Sequence, residues 1–162
     1  MFHKRLTSLG LGFLLGVASL AWIAYEAAPK VMILENESAL SYEDTVATLK
    51  EASKDNGWKI PKVHELDKTM SEAGYQVAPV SVIELCHVQH AARVLGDADS
   101  RIVSSMMPCR VSVYVDAEDK VIVSRMNTGA IARVFGGTVA EVMAVASQET
   151  ELILDSVLKP AS

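Results

Sequence analysis

Cysteine is scarce in this chain: two residues in 162, Cys86 and Cys109, far apart in the sequence. No C-x-x-C or C-x-x-C-H element exists, so neither a thioredoxin-type motif nor covalent haem attachment has support. Cations are also few, with 15 Lys and Arg against 20 Asp and Glu. Two of those cations, Lys4 and Arg5, lie ahead of the first acidic residue, Glu26, which leaves 13 against 20 for the rest. A body so acidic is repelled by phosphate backbones, and without a basic stripe it argues against nucleic-acid binding. There is no G-x-S-x-G element, no phosphate-loop lysine with its glycine spacing, no internal repeat and no low-complexity tract. Nothing here fixes a reaction, so the chain reads as a binding or assembly module rather than an enzyme.

What is present begins with an apolar run. Leu6–Tyr25 carries no charge and matches the ~20 residues that a bilayer core requires of a helix. Two fates compete for it: a cleaved signal peptide, with Ser19 and Ala21 before the cut and Trp22 after it, or a retained signal anchor. Its length favours the anchor, and Trp22 with Tyr25 suits an outer interface. Lys4 and Arg5 orient it with the N-terminus in the cytoplasm. The expectation is therefore a single-pass inner-membrane protein, with the lipid bilayer as partner through residues 6–25 and its domain facing the periplasm or the outside. Residues 1–25 form the anchor, 26–30 a linker and 31–158 one domain, a size that buries its own core.

Within that domain, Val31–Glu35 reads as a first strand. Ser41 with Asp44 three residues later opens a helix that Asn56-Gly57 closes. Trp58–Glu65 is extended, with Pro61 marking an edge, and Asp67 caps a short helix ending at Gly74. Val80–Cys86 is rich in β-branched residues and reads as a strand, and His87–Leu95 as a helix. Cys109, Val111, Val113 and Val115 alternate with Arg110, Ser112 and Tyr114, the mark of a half-buried strand. Asp116–Asp119 turns it into the partner Val121–Arg125. Thr128–Phe135 is helical, Gly136-Gly137 interrupts, and Thr138 with Glu141 forms a capping box. The helix behind it carries Val139, Val142, Met143, Ala146, Ile153 and Val157 on one stripe. This order predicts an α+β fold: a mostly antiparallel sheet with helices packed on one face, preceded by one transmembrane helix.

Four of these segments carry a resemblance. Glu84-Leu85-Cys86, Met107-Pro108-Cys109-Arg110-Val111, Ser124-Arg125-Met126-Asn127 and Phe135-Gly136-Gly137-Thr138 resemble the bacterial "domain of unknown function" family numbered three hundred and two, over most of Val31–Leu158. The resemblance implies a TATA-binding-protein-like α+β fold, often dimeric, and no established catalytic residues. The family often has Asn-Pro after the first cysteine; this chain has His87-Val88.

Chemistry concentrates at the cysteines, each at a strand end. They read equally as buried small hydrophobes or as a disulfide worth about 3 kcal/mol by loop closure, with a dithiol switch as a third reading. Cys86, His87 and His90 lie within five positions, and His87 and His90 share a helix face at i, i+3. Thiolate and imidazole suit zinc or copper, with Met106, Met107 or Cys109 completing a soft set. Against this stands the plain reading of a capping His87 and a solvated His90. His64 with Glu65 and Asp67 is an acid–base candidate that solvated surface explains as well. The two glycine-containing helix starts, at Asn127-Thr128-Gly129 and Gly136-Gly137-Thr138, read as backbone punctuation rather than anion cradles. Two functions follow: a tethered homodimeric binding module of unknown ligand, or a periplasmic thiol-redox or soft-metal protein using Cys86, His87, His90 and Cys109.

Overall fold

The computed structural model describes residues 2–160, with side chains from Leu15 onward. The chain divides into two compact units, 1–32 and 33–162. The first is a single helix, α1 (Phe2–Met32). It passes through Glu26, Pro29 and Lys30, so the stretch expected to be a linker is helical. The membrane expectation is corrected here. Among the described residues no helix is long and apolar enough to cross a membrane. The last turns of α1 carry the charged Glu26 and Lys30. The part of the expected span over residues 6–14 lies outside the residues whose side chains are described. The single-pass, inner-membrane placement rested on that spanning helix and is corrected with it.

The second unit runs β1 (Ile33–Glu37), α2 (Tyr42–Asp55), β2 (Val63–Glu65), α3 (Leu66–Glu72), β3 (Val80–Leu85) and α4 (Val88–Gly96). It continues with a 3-10 helix (Asp99–Met106), β4 (Cys109–Val115), β5 (Val121–Met126), α5 (Thr128–Ala132) and α6 (Gly137–Leu154). The five strands form one sheet in the order β1-β5-β4-β3-β2, and every pairing is antiparallel. The α+β expectation with an antiparallel sheet holds.

Local chemistry explains most boundaries. The Ser41 side chain accepts from the Asp44 amide and starts α2, while Gly57, at φ 79°, turns the chain out of it. Only a residue free of Cβ strain adopts that φ cheaply. The sheet's core face presents Ile83, Leu85, Val111, Val113 and Val123 to Leu49 of α2 and to Ala146, Ile153 and Leu154 of α6. Alternation sends Glu84, Arg110, Ser112, Tyr114 and Ser124 to the other face. A second cluster joins Val94, Val103, Ala132, Val139 and Val142, with Met107 and Met143 against it. Those two methionines sit where β4 begins and α6 passes, which is where the chemistry lies.

Two start signals moved. The helix expected to be capped by Thr138 begins two residues earlier, with Gly136 at its N-cap and both Gly136 and Gly137 at positive φ. β1 lies two residues later than Val31–Glu35, because α1 continues through Met32.

Candidate metal centre

Three elements converge at the end of β3. The strand stops at Leu85, which pairs across to Cys109, the first residue of β4. Cys86 makes a single bridge with Lys59. His87 then sits at the N-cap of α4 in an extended conformation, and no side chain caps that helix among the described residues. The reading of His87 as a capping side chain therefore fails. His90 follows one turn on, and the two imidazoles lie with ring centroids 4.2 Å apart and tilted by 32°. Trp58, buried to 4 % exposure, meets both rings near edge-on, at 5.5 and 6.1 Å. Its indole walls the pair off on one side, so His90 is not the solvated histidine of the plain reading.

The third member was missed in the sequence. Glu149 of α6 places Oε2 2.9 Å from His90 Nε2. One ligand atom from each of His87, His90 and Glu149 lies within 4.8 Å of the other two. These distances bracket the roughly 3.3 Å edge of a tetrahedron with zinc–ligand bonds of about 2.0–2.1 Å. A signal for Glu149 existed: Val142, Ala146, Glu149 and Ile153 continue one helical stripe at spacings of four, three and four. A carboxylate on the buried stripe asks for a partner.

His87 supplies the second observation. Its Nδ1 is buried and has no hydrogen-bond partner among the described residues. Its Nε2 faces the turn at Gly57, where an added Cβ would lie 3.9 Å away. The hydrogen bond between His90 and Glu149 accounts for those two groups and leaves His87 Nδ1 unexplained. A buried polar atom without a partner costs about 1–3 kcal/mol, so it calls for a water or a ligand; Trp58 Nε1 and Asp67 Oδ1 are in the same state.

The cysteines stand beside this trio. Both are free. Both line one cavity of about 40 Å³ with Trp58, His87, His90 and Met107. Burial pushes the Cys109 thiol up from the ordinary range, and the neighbouring Cys86 adds to the shift. The structure thus gathers Cys86, His87, His90 and Cys109 at one place, with the imidazoles and the Glu149 carboxylate in mutual ligand reach. His64 takes no part. It pairs with Glu84 at 3.0 Å on the outer sheet face, with Arg110 behind at 3.8 Å from the same oxygen. Asn127 accepts from the Ala130 amide and caps α5, in keeping with backbone punctuation.

A larger cleft of about 220 Å³ opens beside Ser112, Ser124, Arg125 and Thr150. Its buried cation is already committed: Arg125 donates to both oxygens of Glu151 and to Asn36. The chemistry therefore stays with the histidine corner.

An antiparallel five-stranded sheet with helices against one face defines an α+β domain. The chain belongs to the family described as "Domain of unknown function DUF302", whose pattern matches residues 34–158. It is similar in fold to a crystal structure titled "uncharacterized conserved protein DUF302 from Bacillus stearothermophilus". That likeness has a TM-score of 0.69 and 20 % sequence identity, and covers 77 % of this chain and 97 % of that one. At that identity it establishes the fold alone. No curated protein matches the chain.

Proposed function

We propose that the domain is a metal-binding module that takes one borderline divalent transition ion, zinc in the first instance, on His87, His90 and Glu149. The observation that carries this reading is the mutual reach of three ligand atoms, all within 4.8 Å, in a half-buried corner. The unpartnered Nδ1 of His87 supports it. Two imidazoles and a carboxylate are a zinc donor set, and three protein ligands leave the fourth position to water or a bound group. The ligands come from two different helices, α4 and α6, so binding also ties those elements together.

Metal ligands must be deprotonated to bind, so affinity falls as the solution is acidified. The test is calorimetric titration of the purified chain with Zn2+. One equivalent binds the unaltered protein, and Glu149→Gln and His90→Ala each lose it. At free Zn2+ one hundred times the dissociation constant, binding stabilises the fold by about 2.7 kcal/mol, which thermal melting detects. Equal Zn2+ binding by the unaltered chain and both variants, or none by the unaltered chain, refutes the reading.

A further inference from the structure

The cleft of about 220 Å³ lies where β4 and β5 part. Main-chain bonding alternates along both strands. Val115 donates to Pro79 on the β3 side, and Asp116 donates to Lys120 on the β5 side. Even-numbered residues of β4 therefore turn their N–H and C=O groups towards β5. Val121 accepts from Ser38 on the β1 side, so even-numbered residues of β5 turn theirs towards β4. Tyr114 with Ile122 and Ser112 with Ser124 are the rungs this makes. The next would join Arg110 to Met126, but the register ends one residue short of it, at Val111 with Arg125. Closing that rung needs Arg110 N–H to meet Met126 C=O. It stays open, and both residues line the cleft. The gap is not a frayed end. Arg110 remains paired with Glu84 of β3, and Met126 with Ile33 of β1. Both walls are thus held from outside, while Ser147, Thr150 and Glu151 of α6 line the same space.

We propose that this cleft binds a short extended peptide by its main chain. A peptide carries one acceptor and one donor per residue. A ligand C=O accepts from Arg110 N–H, and a ligand N–H donates to Met126 C=O, so the guest completes the rung as an added strand does. Charge disfavours ionic ligands. Arg125 is matched by both oxygens of Glu151, and Arg110 lies 3.8 Å from Glu84, so the wall holds no spare counter-charge. The volume is below the ~300–1,000 Å³ of pockets for drug-sized ligands, which limits the bound stretch to roughly two small residues. The competing explanation is that water alone closes the rung. A slot already fixed on both sides, however, also receives a peptide without the protein having to be ordered first.

The cleft contains none of His87, His90 and Glu149, so the proposal stands or falls apart from the metal reading. The experiment titrates the isotope-labelled full chain with acetyl-Ala-Ala methylamide and follows amide shifts and amide exchange by NMR. In the free chain the Arg110 amide should exchange faster than those of Ser112 and Tyr114. Saturating probe should slow it by about tenfold or more, with the largest shifts at Arg110, Ser112, Ser124 and Met126. The same probe N-methylated at every amide keeps its carbonyls and loses its donors, and should bind roughly 10-fold more weakly, the worth of one hydrogen bond. Ser124→Val suits a strand and narrows the cleft, and should weaken binding by a similar factor, whereas His90→Ala should leave it unchanged. Equal affinity for the N-methylated probe, no shift at millimolar probe, or an Arg110 amide as protected as Ser112 in the free chain would each overturn the proposal. Glycerol that matches the peptide in the same shifts would assign the cleft to hydroxylated ligands and overturn it too. The probe comparison needs no variant, so it decides even where Ser124→Val fails to fold.

Discussion

Removing the carboxylate of Glu151 should cost this fold more than removing the arginine it serves. Arg125 lies on the core face of β5, between Leu34 of β1 and Val111 of β4. It is only 8 % exposed. Its Nε and Nη2 donate to Glu151 at 2.9 and 2.5 Å, and its Nη1 donates to Asn36 at 2.6 Å. Breaking a fully buried pair from one side costs about 3–5 kcal/mol, because the remaining charge is stranded. The Glu151 side chain is 42 % exposed, so water reaches the guanidinium once the carboxylate is gone. We discount the cost of Glu151→Ala to about 2–3 kcal/mol for that reason. Arg125→Met removes the charge and keeps the length and apolar stem, while the half-exposed Glu151 turns to solvent, so the cost falls to about 1 kcal/mol or less. The double variant should sit near Arg125→Met rather than at the sum, because no stranded charge remains. For a domain of this size the difference between the single variants is roughly 5 °C in melting temperature. Urea unfolding followed by circular dichroism, with constant m values, measures all three. Should Arg125→Met prove the more damaging, or the two single effects simply add, the stranded-charge argument is wrong.

Two titrations probe other parts of the sheet. The Tyr114 hydroxyl donates to Glu35 at 2.6 Å, which with partial burial pushes its pKa up to about 12. Its folded value lies above the ordinary value near 10, so the stability from this contact is complete below about pH 10 and is lost as pH rises through about 12. Burial also raises Tyr42, so absorbance at 295 nm should show two tyrosines ionising late, and Glu35→Gln should bring one of them down; two late tyrosines surviving Glu35→Gln would assign the Tyr114 shift elsewhere. Burial likewise raises the Cys109 thiol above its usual 9.0, so in a Cys86→Ser background its iodoacetamide alkylation should reach half its limiting rate above pH 9. A half-maximal rate below pH 9 would mean that the thiol is not held in the apolar surroundings described.

Much of the sheet was legible because its signals are local. Strand β4 shows its period of two without interruption from Cys109 to Val115, and the structure keeps both ends. Ser41 and Gly57 bracket α2 through a side-chain cap and a positive φ, both written in residue type. Other features depended on tertiary context. The 3-10 helix Asp99–Met106 has no apolar period to betray it, and only Ser100 and Val103 are buried. The helical course of residues 26–32 replaces the linker expected over 26–30 and holds Pro29 inside the helix, where proline is disfavoured. The membrane expectation read a charge-free run by length, whereas among the described residues no helix is long and apolar enough to cross a membrane.

The candidate site shows the same divide between pairs near in sequence and partners near only in space. His87 and His90 were visible as neighbours one helical turn apart. Their carboxylate was not, because Glu149 stands 59 positions from His90, and only the α6 stripe hinted that it faces inward. Arg125 continues the alternation of Val121 and Val123 and so belonged to the core face by period, yet its charge argued for solvent; Glu151 resolves that conflict from α6. The two acids stand two residues apart on α6 and so leave the helix in nearly opposite directions. Helix α6 is thus joined through Glu151 to Arg125 of β5 and through Glu149 to the histidine corner. An ion there replaces the His90 to Glu149 contact with a bond to both, drawing α4 and α6 to a fixed spacing.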